Sequence, residues 1–320
     1  AYRNTKDIKR LNQKHDFDII HTQGAGAFTS DIVTAHSCHR AAIKKINRFD
    51  REELSFYKYL LHKIYRLFKP TNRVVLFVER RILKGAKRII SVSKGVKQEI
   101  IENYSIPSDK ISVVPNGVNL EEFKPRPEKD KIIRRKYNIS EDSFLLFFCA
   151  HEFRRKGLAT IIKSLPRLKE KVFLLIGGKD NPTPYKKLAE RLGVSNQVIF
   201  AGNIPENINF YYSASDVFIF PTLYEPFGLV IVEAISSGLP VITSELTGAS
   251  ELIEEGETGL LLNSPSDSDE IATEINKLLE NPNLLSKMEK NTRGIAEDYS
   301  WQEVTKKTEQ VYKEVKDEKS

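Results

Sequence analysis

An α/β fold in two domains is what this sequence predicts, on three observations. The chain has 320 residues, about twice a typical domain. Its second half alternates short apolar runs with helix-like segments, the pattern of a doubly wound parallel sheet. A polar stretch from Lys124 to Asp130, holding Pro125 and Pro127, reads as a linker between that half and an earlier set of strands and helices.

The bulk numbers agree with this class. A hydrophobic fraction of 40% with 29% charged residues suits a folded globular chain and argues against wholesale disorder. Apolar runs such as Phe144 to Ala150 fall far short of the roughly 20 residues that a spanning helix needs. No charged-then-apolar leader opens the sequence, and its two cysteines, Cys38 and Cys149, stand far apart, so a reducing cytoplasm is the expected home.

Taken in order, FDIIHT (Phe17 to Thr22) and DIVTAH (Asp31 to His36) read as buried parallel strands that end in polar residues. From Glu52 to Gly85 apolar residues recur at helical spacing among basic ones, and Pro70 divides two helices. RIISVS, KGVKQEIIENY and KISVVP then give strand, helix and strand, closing in the turn Pro115-Asn116-Gly117-Val118. After the linker come the strands FLLFFCA, VFLLIGG, QVIFAG, DVFIFP, LPVIT and TGLLL. From Ser300, a candidate N-cap, Trp301, Val304, Val311 and Val315 mark one last helix. The expected division is therefore residues 1–125, residues 126–299, and a terminal helix over 300–320 that packs back across the junction.

Charge is uneven. Residues 40 to 97 carry seventeen Lys/Arg against four Asp/Glu, a net of +13, so the remainder sums to −6. A basic block of this size suits an anionic membrane surface, a nucleic acid or a phosphorylated acceptor, unless it is simply a solvated helix face. Phe56, Leu60, Leu61, Ile64, Leu67 and Phe68 add an apolar side to the same segment, which favours a membrane. Alternatively, they pack onto the first domain's sheet. No aromatic-rich strand or recognised helix module accompanies the charges, so nucleic acid is not an expected partner.

Two segments carry the chemistry. YEPFGLVIVEA (Tyr224 to Ala234) places Glu225 and Glu233 eight positions apart around a Phe227-Gly228-Leu229 turn. Gly228 permits a tight turn and close backbone approach, and the helix that follows presents N–H groups to an anion such as a diphosphate. Glu233, about five residues into that helix and so roughly 7.5 Å from its start, has the reach for the vicinal hydroxyls of a ribose. Glu225 stands ahead of the helix. AHEFRRKG (Ala150 to Gly157) leaves a strand and opens a helix, placing Arg155 and Lys156 where open α/β sheets bind ligands. A forked guanidinium and an ammonium together can neutralise a departing diphosphate without a metal ion. Lys179, after Gly177-Gly178, suits a phosphate, and Asn203 with Ile204 suits the side of a base. No His/Cys/Asp spacing suggests a metal site.

The Glu225 to Glu233 segment resembles the E-x7-E motif of retaining glycosyltransferases of family 4. The likeness runs from about Phe17 to the C-terminus. HEFRRKG and the basic region after TAHSCH look most like lipopolysaccharide-core glucosyltransferases. The resemblance implies the GT-B architecture, two Rossmann-like domains with the nucleotide-sugar donor bound between them, and sugar transfer with retention and no covalent enzyme intermediate. With the basic block, the expectation is a cytoplasmic enzyme, peripheral on the inner face of the membrane, with a glycan or lipid-linked acceptor and neither cofactor nor metal. The donor nucleotide stays open among UDP, GDP and ADP. The family's T-x-H falls on His36, whose imidazole would touch the donor sugar; His39 and His21 are weaker candidates. Where the family often reads G-R-x-x-x-x-K-G, this chain has Ala150 and His151, so the phosphate role rests on Arg155 and Lys156. Only sixteen residues precede Phe17, where the family usually has a strand, a Gly-rich loop and further βα units, so an abbreviated first domain is expected. The alternative function is then a weak or inactive nucleotide-sugar-binding module.

Overall fold

The structure, a computed structural model, describes residues 2–53, 55–204 and 206–318, the side chains of residues 2, 52, 53, 66, 67 and 127–130 aside. It divides into two compact units, residues 1–116 with 302–320, and residues 117–301.

The first unit holds a parallel sheet in the order β1 (His21–Gln23), β2 (Ile32–Ala35), β3 (Arg88–Ser91), β4 (Ile111–Val113). Its helices are α1 (Tyr2–His15), α2 (His39–Glu53), α3 (Phe56–Phe68), α4 (Pro70–Gly85) and α5 (Lys94–Tyr104). β1 starts later than its apolar residues suggest. The Asp31 carboxylate accepts from the Ile20 N–H at 3.0 Å, while the Ile20 carbonyl takes the Asp31 and Ile32 N–H groups at 2.9 and 3.1 Å. That side-chain clamp replaces a regular ladder until His21. Pro70 opens α4 at a position where its missing N–H leaves nothing unpaired. Ser93 caps α5, its hydroxyl accepting from the Val96 N–H at 3.1 Å. The C-terminal helix, Trp301–Asp317, lays Val304, Val311 and Val315 against Ile32, Ile90 and Val114 of the same unit.

Large apolar residues along α3 and the first half of α4 are exposed, while Ile82 and Leu83 near the end of α4 are buried. Phe56 is 78% exposed, Phe68 68% and Phe77 60%, and Leu60, Leu61 and Ile64 are also exposed. Leu67, counted with them from the sequence, lies outside the described side chains.

The second unit is a six-stranded parallel sheet. Its strands are β5 (Phe144–Cys149), β6 (Val172–Gly177), β7 (Val198–Gly202), β8 (Val217–Phe220), β9 (Val241–Ser244) and β10 (Gly259–Leu262), in the order β10-β9-β8-β5-β6-β7. Helices α6 (Pro127–Lys136), α7 (Leu158–Ser164), α8 (Thr183–Arg191), α9 (Ile208–Ser213), α10 (Leu229–Ser236), α11 (Ser268–Leu279) and α12 (Pro282–Ala296) connect and cover it. Continuous burial along β5, β8 and β9 is what a parallel sheet with both faces covered requires, and explains their unbroken apolar sequences. The polar stretch read as linker is shorter than expected, since α6 begins at Pro127, again proline in a helix's first turn. Residues 117–126 belong to this unit because its side chains hold their carbonyls. Arg293 donates to Leu120 O at 3.0 Å and Phe123 O at 2.6 Å, and Asn209 to Glu122 O at 2.9 Å.

Candidate functional site

In the second sheet the strand order reverses between β5 and β8, which pair through Leu146 with Val217 and Phe147 with Phe218. Chains leaving two adjacent strands at such a point diverge, and the crevice between them is where open α/β sheets take ligands. The loops there are 150–157 after β5 and 221–228 after β8, the two segments that the sequence marked.

These loops are stitched together. The Leu223 N–H donates to Arg155 O at 3.0 Å, and the buried Thr222 hydroxyl to Tyr224 O at 3.2 Å. Arg155 donates through Nη1 to Tyr224 O, and through Nε at 2.7 Å to the Glu152 carboxylate. Gly157 ends the first loop at φ +81°, and a Cβ there would run into the Pro221 carbonyl, so only glycine lets the loops approach this closely.

Lys156 lies between them, only 5% exposed. Its Nζ is paired with Glu225 Oε2 and sits 5.1 Å from the centre of the Phe220 ring. Burial lowers its pKa; Glu225 opposes that shift, and the neighbouring Arg155 adds to it. Glu225 is held through its backbone, with Gly248 N–H on its carbonyl at 2.8 Å, and Ala249 N–H binds Phe227 O at 2.6 Å. The turn is completed by Gly228 at φ +102°, which starts α10 and would put a Cβ 3.2 Å from Ile231 Cδ1. Phe227 is buried and Leu229 exposed.

Further along α10, Glu233 accepts from the Tyr212 hydroxyl at 2.8 Å. Burial raises its pKa; the Tyr212 hydrogen bond offsets part of this and Glu122 adds to it. Cys149, at the end of β5, has its thiol pushed up to about 12 by burial, with Glu233 contributing. Lys179 and Asn203 are exposed on the loops after β6 and β7, and Ile204 is half-buried. Among the described residues no hydrogen bond or ion pair joins Lys179 or Asn203 to Arg155, Lys156, Glu225 or Glu233.

In the first unit, His36 follows β2 and donates through Nε2 to Gln23 Oε1 at 2.9 Å; burial lowers its pKa, which keeps the imidazole neutral at pH 7. It lines a pocket of about 190 Å³ with Gly24, Ser37, His39, Val75 and Glu79. His39 offers its backbone N–H to Glu79 Oε1 at 2.9 Å. His21 is structural in its contacts, its nitrogens 2.8 Å from the Tyr312 and Thr34 hydroxyls. Among the described residues no three His, Cys, Asp or Glu gather as metal ligands, and no helix is long and apolar enough to cross a membrane.

Sequence reading missed Tyr212, Thr222 and Glu79. Tyr212 sits in NFYYSASD, an apolar run that reads as core, and its hydroxyl's partner is 21 positions away. Thr222 and Glu79 belong to no motif.

Comparison with known proteins bears on the family and the fold. A family model described as Glycosyltransferase Family 4 matches residues 1–122, and one described as Glycosyl transferases group 1 matches residues 129–295. An uncharacterized glycosyltransferase of Methanocaldococcus jannaschii is 30% identical over 254 residues, 77% of this chain and 65% of that protein. Across eight curated relatives the chain spans between 55% and 67% of their length. Among solved structures, the sucrose-phosphate synthase of Thermosynechococcus elongatus superposes with a TM-score of 0.78 at 24% identity, covering 97% of this chain and 77% of that one. WaaG, a glycosyltransferase involved in lipopolysaccharide biosynthesis, gives 0.75 at 22%, covering 96% and 80%. Both share with this chain the fold of two parallel-sheet Rossmann-like domains, the GT-B architecture. Matched over more than half its length by the second of the two family models, the chain belongs to the glycosyl transferases group 1.

Proposed function

We propose that this chain transfers a sugar from a nucleoside-diphosphate donor to a glycan or lipid-linked acceptor, with retention at the anomeric carbon. The observation that carries the reading is the meeting of Arg155, Lys156 and Glu225 at the reversal point of the second sheet. Arg155 and Lys156 are assigned to the leaving diphosphate, whose charge grows as the bond to the sugar breaks; buried cations stabilise such charge more than water can. The Gly228 turn and the start of α10, where the helix dipole is positive, are assigned to the same phosphates. Glu225 is assigned to the sugar, Glu233 to the ribose hydroxyls, and Ile204 with Asn203 to the base. The neutral imidazole of His36 suits a hydrogen bond to a sugar hydroxyl. The acceptor attacks on the face the diphosphate leaves, and a phosphate oxygen helps take its proton. No metal is required in this scheme. Calorimetry against UDP-, GDP- and ADP-sugars, followed by turnover with the donor that binds, tests it. Donor binding without transfer to any glycan or lipid acceptor would favour a binding module instead.

Glu233→Ala is expected to weaken donor binding by roughly 1–3 kcal/mol, because ribose hydroxyls would lose a charged, buried acceptor. Titration of the variant with the nucleoside diphosphate checks this, and unchanged affinity would remove Glu233 from the site.

The exposed apolar and basic residues of α3 and α4 carry a second part of the reading: a reversible hold on an anionic membrane where a lipid-linked acceptor is displayed. Phe56, Phe68 and Phe77 stand in solvent beside Lys58, Lys63, Lys69 and Arg73. Each basic residue near such a surface contributes about 1 kcal/mol, and the apolar side chains add the non-polar part. A place on the cytoplasmic face accords with Cys38 and Cys149 both being free thiols. Cosedimentation is expected with anionic vesicles at low salt, to fall at high salt, and to be absent with neutral vesicles. Binding indifferent to lipid charge, or none, would remove the membrane part alone.

A further inference from the structure

The pairing of Lys156 with Glu225 has a consequence for the order of events at the site. Lys156 is nearly buried, so its charge is costly unless neutralised. The Glu225 carboxylate neutralises it and takes up the face of the ammonium turned toward that carboxylate. The carboxylate is the more exposed partner: its side chain is 23% exposed against 6% for Lys156, while its backbone is held by Gly248 and Thr247. An anion that approaches Lys156 therefore competes with Glu225 for the ammonium.

We infer that Glu225 is a specificity-determining residue that makes the site discriminate between intact donor and spent nucleoside diphosphate. This rests on the assignment of Lys156 to the diphosphate. A nucleoside diphosphate brings only negative charge to the Lys156 and Glu225 pair, its ribose hydroxyls being assigned to Glu233, so the displaced carboxylate is left with no new partner and the two repel. A nucleotide sugar brings the same phosphates and also hydroxyl donors on the sugar, which give the displaced carboxylate hydrogen bonds. The intact donor thus compensates Glu225 for losing Lys156, and the product does not. After transfer, Glu225 returns to Lys156 as the diphosphate leaves.

The test compares wild type, Glu225→Gln and Lys156→Ala by calorimetry with UDP, GDP and ADP and with UDP-glucose, GDP-mannose and ADP-glucose. The pair that binds wild type is carried forward. Glu225→Gln is expected to bind the free diphosphate on the order of ten-fold tighter and the nucleotide sugar no tighter, so the preference for intact donor collapses. Diphosphate affinity unchanged or weakened in Glu225→Gln would overturn the inference. Should Glu225→Gln fail to fold, Glu225→Asp, which shortens the reach to Lys156 but keeps the charge, is expected to tighten diphosphate binding by a smaller factor, and no tightening overturns the inference equally. Lys156→Ala separates the two levels. If it leaves diphosphate binding intact, the assignment of Lys156 fails; if it weakens binding while Glu225→Gln does not tighten it, only the discrimination by Glu225 fails.

Discussion

Alanine at both Arg155 and Lys156 is expected to weaken nucleoside diphosphate binding on the order of a hundredfold, about 3 kcal/mol, and to leave binding of the parent nucleoside nearly unchanged. Two charged donors to phosphate oxygens would each be worth about 1.5–3 kcal/mol. The lower end applies because both are occupied beforehand, Arg155 by Glu152 and Tyr224 O, Lys156 by Glu225. Those partners must be given up when the diphosphate arrives. Calorimetry with the diphosphate and the nucleoside side by side gives the answer, and equal losses for both ligands would falsify the phosphate role. A thermal melt of the variant belongs in the same experiment, since removing Lys156 strands the Glu225 carboxylate in a partly buried place.

Much of this site was legible because its chemistry is local in sequence. The strand-loop-helix passages around Arg155 and Glu225 each fit within about a dozen residues, and the apolar runs of β5 and β8 announce buried parallel strands. A reader who knows that ligands gather beyond the carboxyl ends of such strands places both loops near each other. The reversal of strand order that makes β5 and β8 neighbours, by contrast, is a property of topology, and no periodicity encodes it. The same holds for Tyr212. Nothing near it hints that its hydroxyl reaches Glu233, since the bond joins residues of α9 and α10 that stand 21 positions apart.

Other misreadings have equally physical causes. Lys124 to Asp130 has a linker's composition, yet Pro127 begins α6, because the residue that breaks a helix interior is well suited to its first turn. Ile19 and Ile20 look like strand residues, but the Asp31 carboxylate intercepts the backbone before the ladder begins. For α3 and α4 the sequence supplied amphipathic spacing and left open which way the apolar side faces. Exposure settles that, because Phe56, Phe68 and Phe77 have no sheet over them.

Phe147→Ala is expected to destabilise the chain by about 3–5 kcal/mol, the ordinary loss for truncating a fully buried aromatic. Phe147 lies at the centre of β5 with no exposure. Its ring contacts Tyr212 edge-on at 5.2 Å between centroids, Phe218 edge-on at 5.9 Å and Tyr211 stacked at 5.8 Å. The contact with Tyr212 connects this core to the site. Tyr212 is held on one side by Phe147 and bonded on the other to Glu233, so a cavity at Phe147 frees the tyrosine to move and slackens the carboxylate it orients. Urea unfolding followed by circular dichroism measures the first effect as a lower midpoint at unchanged slope. Phe147→Leu, which fills more of the space, is expected to recover most of the stability. If the Tyr212 linkage is real, donor affinity at a temperature where both variants are folded should fall for Phe147→Ala, and Tyr212→Phe, which keeps the ring but not the hydroxyl, should reproduce that fall with little loss of stability. A stable Phe147→Ala, with a loss below about 1 kcal/mol, would mean that this aromatic cluster does not anchor β5, and the positioning of Glu233 would need another support.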